Sequence, residues 1–158
     1  MDRWTAPIFC GFIGAGASTY YLMTPFNTVF SNGTVTPKLD GTSTAINQGV
    51  TIFTASAPCT LNQLTLWMMQ RSGAGRTLDV EGYKYPAANG ATAWPVGVQV
   101  IPLTTVTLTT SGAIYQQNIS GLGGNTFATG DRLVLTYHNN FAGTTNTSVT
   151  GTVEFQHQ

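Results

Sequence analysis

The chain has 158 residues and 27 threonines, and six Lys/Arg balance six Asp/Glu to a formal net charge of zero. A domain of this length buries roughly 70% of the surface its unfolded chain exposes, so one core suffices without metals or several disulfides. The basic residues Arg3, Lys38, Arg71, Arg76, Lys84 and Arg132 are scattered, which speaks against the basic stripe of a nucleic-acid binder. No run approaches the ~20 apolar residues of a membrane-spanning helix.

In chain order, residues 1–18 show no clear period but carry Trp4, Ile8, Phe9 and Phe12 among glycines, and are expected to form an extended arm. A secretory signal is disfavoured because Pro7, Gly11, Gly14 and Gly16 interrupt its apolar stretch, and Asp2 offsets Arg3. Residues 19–158 are expected to form a single domain. A first strand over 19–23 stops at Pro25, and 26–41 reads as loop with the turn dipeptide Asn32-Gly33. Strands follow at 49–54 and 61–69, the latter with Leu64, Leu66 and Met68 on one face and Thr65, Trp67 and Met69 on the other.

A hairpin-type loop at 71–76 leads to a strand at 77–85, with Leu78 and Val80 inward against Asp79, Glu81 and Tyr83. Loop is expected over 86–95. A strand at 96–100, an interruption at Pro102 and another strand at 106–108 come next, then a short strand at 114–119. Gly130-Asp131 starts a strand through Leu133, Leu135 and Tyr137, because glycine accepts positive φ and the Asp side chain can bond backbone amides two residues on. Val149, Val153 and Phe155 mark the last strand. About eight short strands with turn signals at ~10-residue spacing predict an all-β, antiparallel β-sandwich of jelly-roll type. Threonine, β-branched and stiff at χ1, suits that pleated surface, and uncharged polar faces desolvate cheaply against a partner.

Little in the chain points to catalysis. Asp79 and Glu81 share a strand face and read as a solvent-facing edge. His138 and His157 have no metal-ligand spacing to a cysteine or another histidine, so neither a metal nor a cofactor is expected. No nucleophile elbow or phosphate-cradling loop occurs. Cys10 and Cys59 are expected as two small buried thiols, although the sequence leaves a disulfide open. Asn32, Asn118 and Asn146 head Asn-x-Ser/Thr triplets, as chance allows in a chain rich in Ser and Thr. Trp67, Trp94, Tyr83, Tyr85 and Tyr115 offer aromatic surface for core, interface or sugar, with Tyr85 and Trp94 as loop contacts.

From residue 57 onward the order of features carries a resemblance. Ala57-Pro58-Cys59-Thr60-Leu61-Asn62-Gln63-Leu64-Thr65-Leu66 supplies a Pro-initiated strand, and Gly73-Ala74-Gly75-Arg76-Thr77-Leu78-Asp79-Val80 a hairpin and strand. Thr129-Gly130-Asp131-Arg132-Leu133-Val134-Leu135 supplies a strand start, and Thr152-Val153-Glu154-Phe155 the close. This series resembles small virion-associated β-sandwich proteins of bacteriophages, over about two thirds of the chain. It departs from them at Tyr85-Pro86, where an Asn-Gly turn is usual.

The resemblance implies a virion structural protein on the capsid surface or tail, with capsid or tail subunits as partners. The first expectation is a decoration (cement) protein that bridges neighbouring shell subunits. It assembles as a homo-oligomer, a trimer by analogy with viral jelly rolls, and its arm docks through Trp4, Ile8, Phe9 and Phe12. The alternative is a tail-fibre or receptor-binding module that grips glycan through the loops at 71–76 and 86–95, with Tyr85 and Trp94. An enzyme is the disfavoured class.

Overall fold

A computed structural model describes residues 2–13, 20–22, 53–70, 75–87, 97–122, 125–139 and 147–158. Among them are ten strands and no helix: β1 (Arg3–Ile13), β2 (Tyr20–Leu22), β3 (Phe53–Thr54), β4 (Cys59–Gln70), β5 (Arg76–Tyr85), β6 (Val98–Leu108), β7 (Ile114–Ser120), β8 (Thr126–Phe127), β9 (Arg132–Asn139) and β10 (Thr147–His157). The first sheet runs β1-β10-β4-β7, with β8 also on β4; the second runs β2-β9-β5-β6, with β3 also on β9. Every pairing is antiparallel. The protein is an all-β sandwich, as the alternation predicts.

The core lies between the sheets. From the first come Ile8, Leu61, Leu64, Leu66, Met68, Val149, Val153 and Phe155; from the second come Leu78, Val80, Ile101, Leu133, Leu135 and Tyr137. Opposed residues of an antiparallel pair point to the same side. Val149 opposite Met68 and Val153 opposite Leu64 therefore stack inward together. Leu61 and Leu64 differ in parity, yet both are buried. A β-bulge reconciles them: Gln63 pairs Glu154 and Leu61 pairs Phe155, which leaves Asn62 as the extra residue. Its side-chain amide donates to Glu154 Oε1 at 3.4 Å and Gln156 Oε1 at 3.2 Å, holding the bulge against β10.

Two expectations about the strands need correction. The N-terminal segment is not an arm outside the domain: residues 3–13 are an edge strand zipped along β10, from Arg3 opposite Gln156 to Ile13 opposite Thr147. Trp4, Ala6 and Ile8 alternate inward while Thr5 and Pro7 face solvent, a period of two that Pro7 and the small Ala6 disguise in the sequence. At Pro102 the pairing is interrupted but the strand does not end. β6 runs through it, with the register against β5 shifting between Val80 and Gly82, so Pro102 and Leu103 stand out into solvent.

Cys59, as expected of it, is a free, buried thiol. Cys10 pairs with Val149 and Cys59 with His157 on β10, so the register separates them by roughly 27 Å at ~3.4 Å per residue. A disulfide spans at most about 7 Å between Cα atoms. Residues 49–52 of the strand expected at 49–54, the loop expected at 26–41 with Asn32, Asn146, Trp94 and most of the two loops at 71–76 and 86–95 lie outside the described residues.

Candidate interaction surface

Two of the four residues expected to anchor a partner are spent on the protein's own core. Trp4 stacks on Phe155 at 4.6 Å between ring centroids, and Phe155 in turn meets Phe53 at 4.1 Å and Phe127 at 5.9 Å. One aromatic cluster thus pins β1, β3, β8 and β10 together at one end of the sandwich. Lys84 closes it, with its ammonium 5.7 Å from the Phe127 ring centre and donating to the Thr126 carbonyl at 2.8 Å. Ile8 is buried opposite Gly151. Phe9 and Phe12 lie on β1, Phe9 opposite Thr150.

Tyr85, expected at a loop contact, is buried with its ring against Gly97. It opposes Arg132, on the side of the second sheet that faces away from the core. Val134 and Thr136 are buried on that side too, so its middle is closed. Around it the polar groups pair locally. Thr105 Oγ1 donates to Asp79 at 2.5 Å, and Glu81 accepts from the Tyr83 hydroxyl at 2.9 Å and Gln99 at 3.4 Å. Asp79 and Glu81 thus behave as the polar edge expected of them.

Asp131 is a structural residue. Its carboxylate reaches back, not two residues on: it accepts the Ala128 N–H at 2.9 Å and the Ala87 N–H at 3.3 Å, while Gly130 before it adopts φ 89°. Burial, and then the Asp131 charge, push the Cys59 thiol above its ordinary pKa, which favours an inert thiol over a nucleophile. Among the described residues no group of three or more His, Cys, Asp or Glu is placed to hold a metal ion.

The outer face of the first sheet is different. Its outward row crosses Ile114 on β7, Met69 and Trp67 on β4, and Ser148 and Thr150 on β10. Ile114 is 72% exposed and Trp67 38%, both high for large apolar side chains. Thr65, Gln116, Asn118, Thr150 and Thr152 surround them. Among the described outward side chains of this face the charges are Arg3 and Glu154, which pair at 3.4 Å at the far end. Trp67 and Tyr83 stand on opposite faces of the sandwich, so the aromatic residues named from the sequence do not assemble into one sugar platform.

A sequence signal for this surface exists: residues 41–70, 85–130 and 133–153 hold no Asp, Glu, Lys or Arg, spans that include all of β4, β7 and β8 and β10 as far as Val153. No model of a known protein family matches the chain, and no curated protein does.

Proposed function

We propose that this is a structural virion protein, a decoration protein that docks on a shell through the outer face of its first sheet. The observation that carries this reading is that face: open, almost uncharged, and holding Trp67, Met69 and Ile114 among hydroxyl and amide side chains. Such groups are desolvated at low cost when each finds a partner. Tryptophan is a frequent energetic anchor in protein interfaces. Four strands ~4.8 Å apart and up to 12 residues long give a face of roughly 600–700 Å², near the ~800 Å² per partner of a standard interface.

The strand order supports the jelly-roll form of the fold. β1-β10-β4-β7 facing β2-β9-β5-β6 is the order of two interlocked Greek keys, an architecture found in viral capsid and lectin domains. The proposed role is non-catalytic: each copy bridges neighbouring subunits, and many weak contacts add by avidity.

The test is to image purified particles and then repeat the docking with Trp67→Glu. A regular array of copies, a shell that weakens when they are stripped, and failure of the variant to rebind support the reading. A few copies at a tail, with binding to glycan, would replace it by the receptor-binding alternative. Rebinding of Trp67→Glu at wild-type strength would exclude this face.

A further inference from the structure

Sheet edges carry unpaired N–H and C=O groups, and proteins that stay monomeric guard them with charge, proline, bulges or shortness. Among the described edge strands, β1 has Arg3, Pro7 and a register break after Cys10. β6 has Pro102 and two register shifts, and β2 spans only three residues. β7 has none of these devices. Its seven residues, Ile-Tyr-Gln-Gln-Asn-Ile-Ser, contain no charge and no proline, and pair with β4 without a break.

On the side away from β4 no described strand pairs with β7. Gln116, Asn118 and Ser120 are exposed. The Asn118 carbonyl accepts the side-chain amide of its neighbour Gln117 at 3.2 Å, a local stand-in for a strand partner. The start of the strand is fastened. The Tyr115 hydroxyl accepts the Thr110 N–H at 2.6 Å and meets the Thr109 hydroxyl at 2.9 Å. This edge is therefore held straight and ready to pair.

We propose that β7 pairs with β7 of a second copy, antiparallel about a twofold axis through Gln117, to make one sheet continuous across a dimer. A second copy fits best because an isologous contact sets the same strand against itself, and an uncharged strand meets no like-charge repulsion in doing so. Full overlap of the seven residues sets Gln116 opposite Asn118 of the partner subunit and Ile114 opposite Ser120 of the partner subunit. Gln117 meets its own copy as a non-hydrogen-bonded pair, with Cα atoms ~4.5 Å apart. The inference is independent of the shell reading: the dimer forms in free solution, whatever it later binds.

The experiment uses the full chain and light scattering. The wild type is expected at twice 16.8 kDa. Gln116→Lys/Asn118→Lys, at exposed positions, is expected at the monomer mass with an unchanged circular dichroism spectrum. Thr5→Lys on the β1 edge is expected to remain dimeric. Gln117→Cys is expected to form an intermolecular disulfide in air, whereas Asn118→Cys, whose copies lie two positions out of register, is not. A monomeric wild type at tens of micromolar, or a double-lysine variant that stays dimeric, would overturn the proposal. A disulfide that forms through Asn118→Cys and not through Gln117→Cys would overturn the register.

Discussion

At the scale of single residues, two inward-facing glycines look alike in the sequence and differ in what surrounds them. Gly151 sits in the register row between Ile8 and Leu66, and a Cβ there would come 2.3 Å from the Thr65 carbonyl oxygen. That neighbour is backbone, tied into the sheet. At Gly82 a Cβ would meet Leu135 Cδ2 at 2.6 Å and Ile101 Cδ1 at 2.9 Å, side-chain ends that can turn aside, and Ile101 Cβ at 3.0 Å, which needs a shift of only a few tenths of an ångström. Gly151→Ala is therefore expected to cost about 2–3 kcal/mol, the upper range of overpacking, and Gly82→Ala about 1 kcal/mol. In thermal unfolding the first should lower Tm by roughly 5–10 °C and the second by a few degrees. Equal shifts would mean that the sheet yields at Thr65 as readily as a side chain rotates.

At the scale of elements, the bulge at Asn62 decides which face of β4 is core. Residues 64–68 alternate as their sequence predicts, but Leu61 joins the same face only because one residue is left out of the ladder. Removing Asn62 would force either Leu61 or the row Leu64, Leu66 and Met68 to the wrong side, since a one-residue slip flips every side chain beyond it. Deletion of Asn62 is expected to abolish cooperative unfolding by circular dichroism. Asn62→Gly keeps the extra residue and should lose only the amide contacts to Glu154 and Gln156, about 1–2 kcal/mol together.

Other elements were legible to different degrees. β4, β5 and β9 were readable because each has an apolar row of period two. β1 was not, because its inward row of Trp4, Ala6 and Ile8 has one small member and a proline between the others. The continuity of β6 through Pro102 was hidden for a related reason. Proline ends a strand in most contexts but is tolerated on an edge, and only the pairing makes β6 an edge.

At the scale of the whole molecule, charge is pushed away from one face. The proposed docking on a shell through Trp67 and its uncharged neighbours should depend little on salt, because there are few charges to screen. Raising salt from about 50 mM to about 500 mM is expected to change the affinity for the shell by less than about threefold, whereas a contact built on several ion pairs would lose far more. A titration of purified protein onto stripped particles at the two salt concentrations checks this. A loss of tenfold or more would move the contact to charged residues elsewhere on the surface.

Taken alone, the sequence determined the class of fold, the inward rows of β4, β5 and β9, and the scarcity of ionisable groups. These are local properties: alternation, β-branching and composition act within a few residues. The burial of Trp4, Ile8 and Tyr85, the separation of Cys10 from Cys59, and the choice of Trp67 over them as exposed aromatic surface were decided only by tertiary structure. Each depends on which strand lies beside which. That is set by pairing between segments as distant as β1 and β10, and no local pattern encodes it.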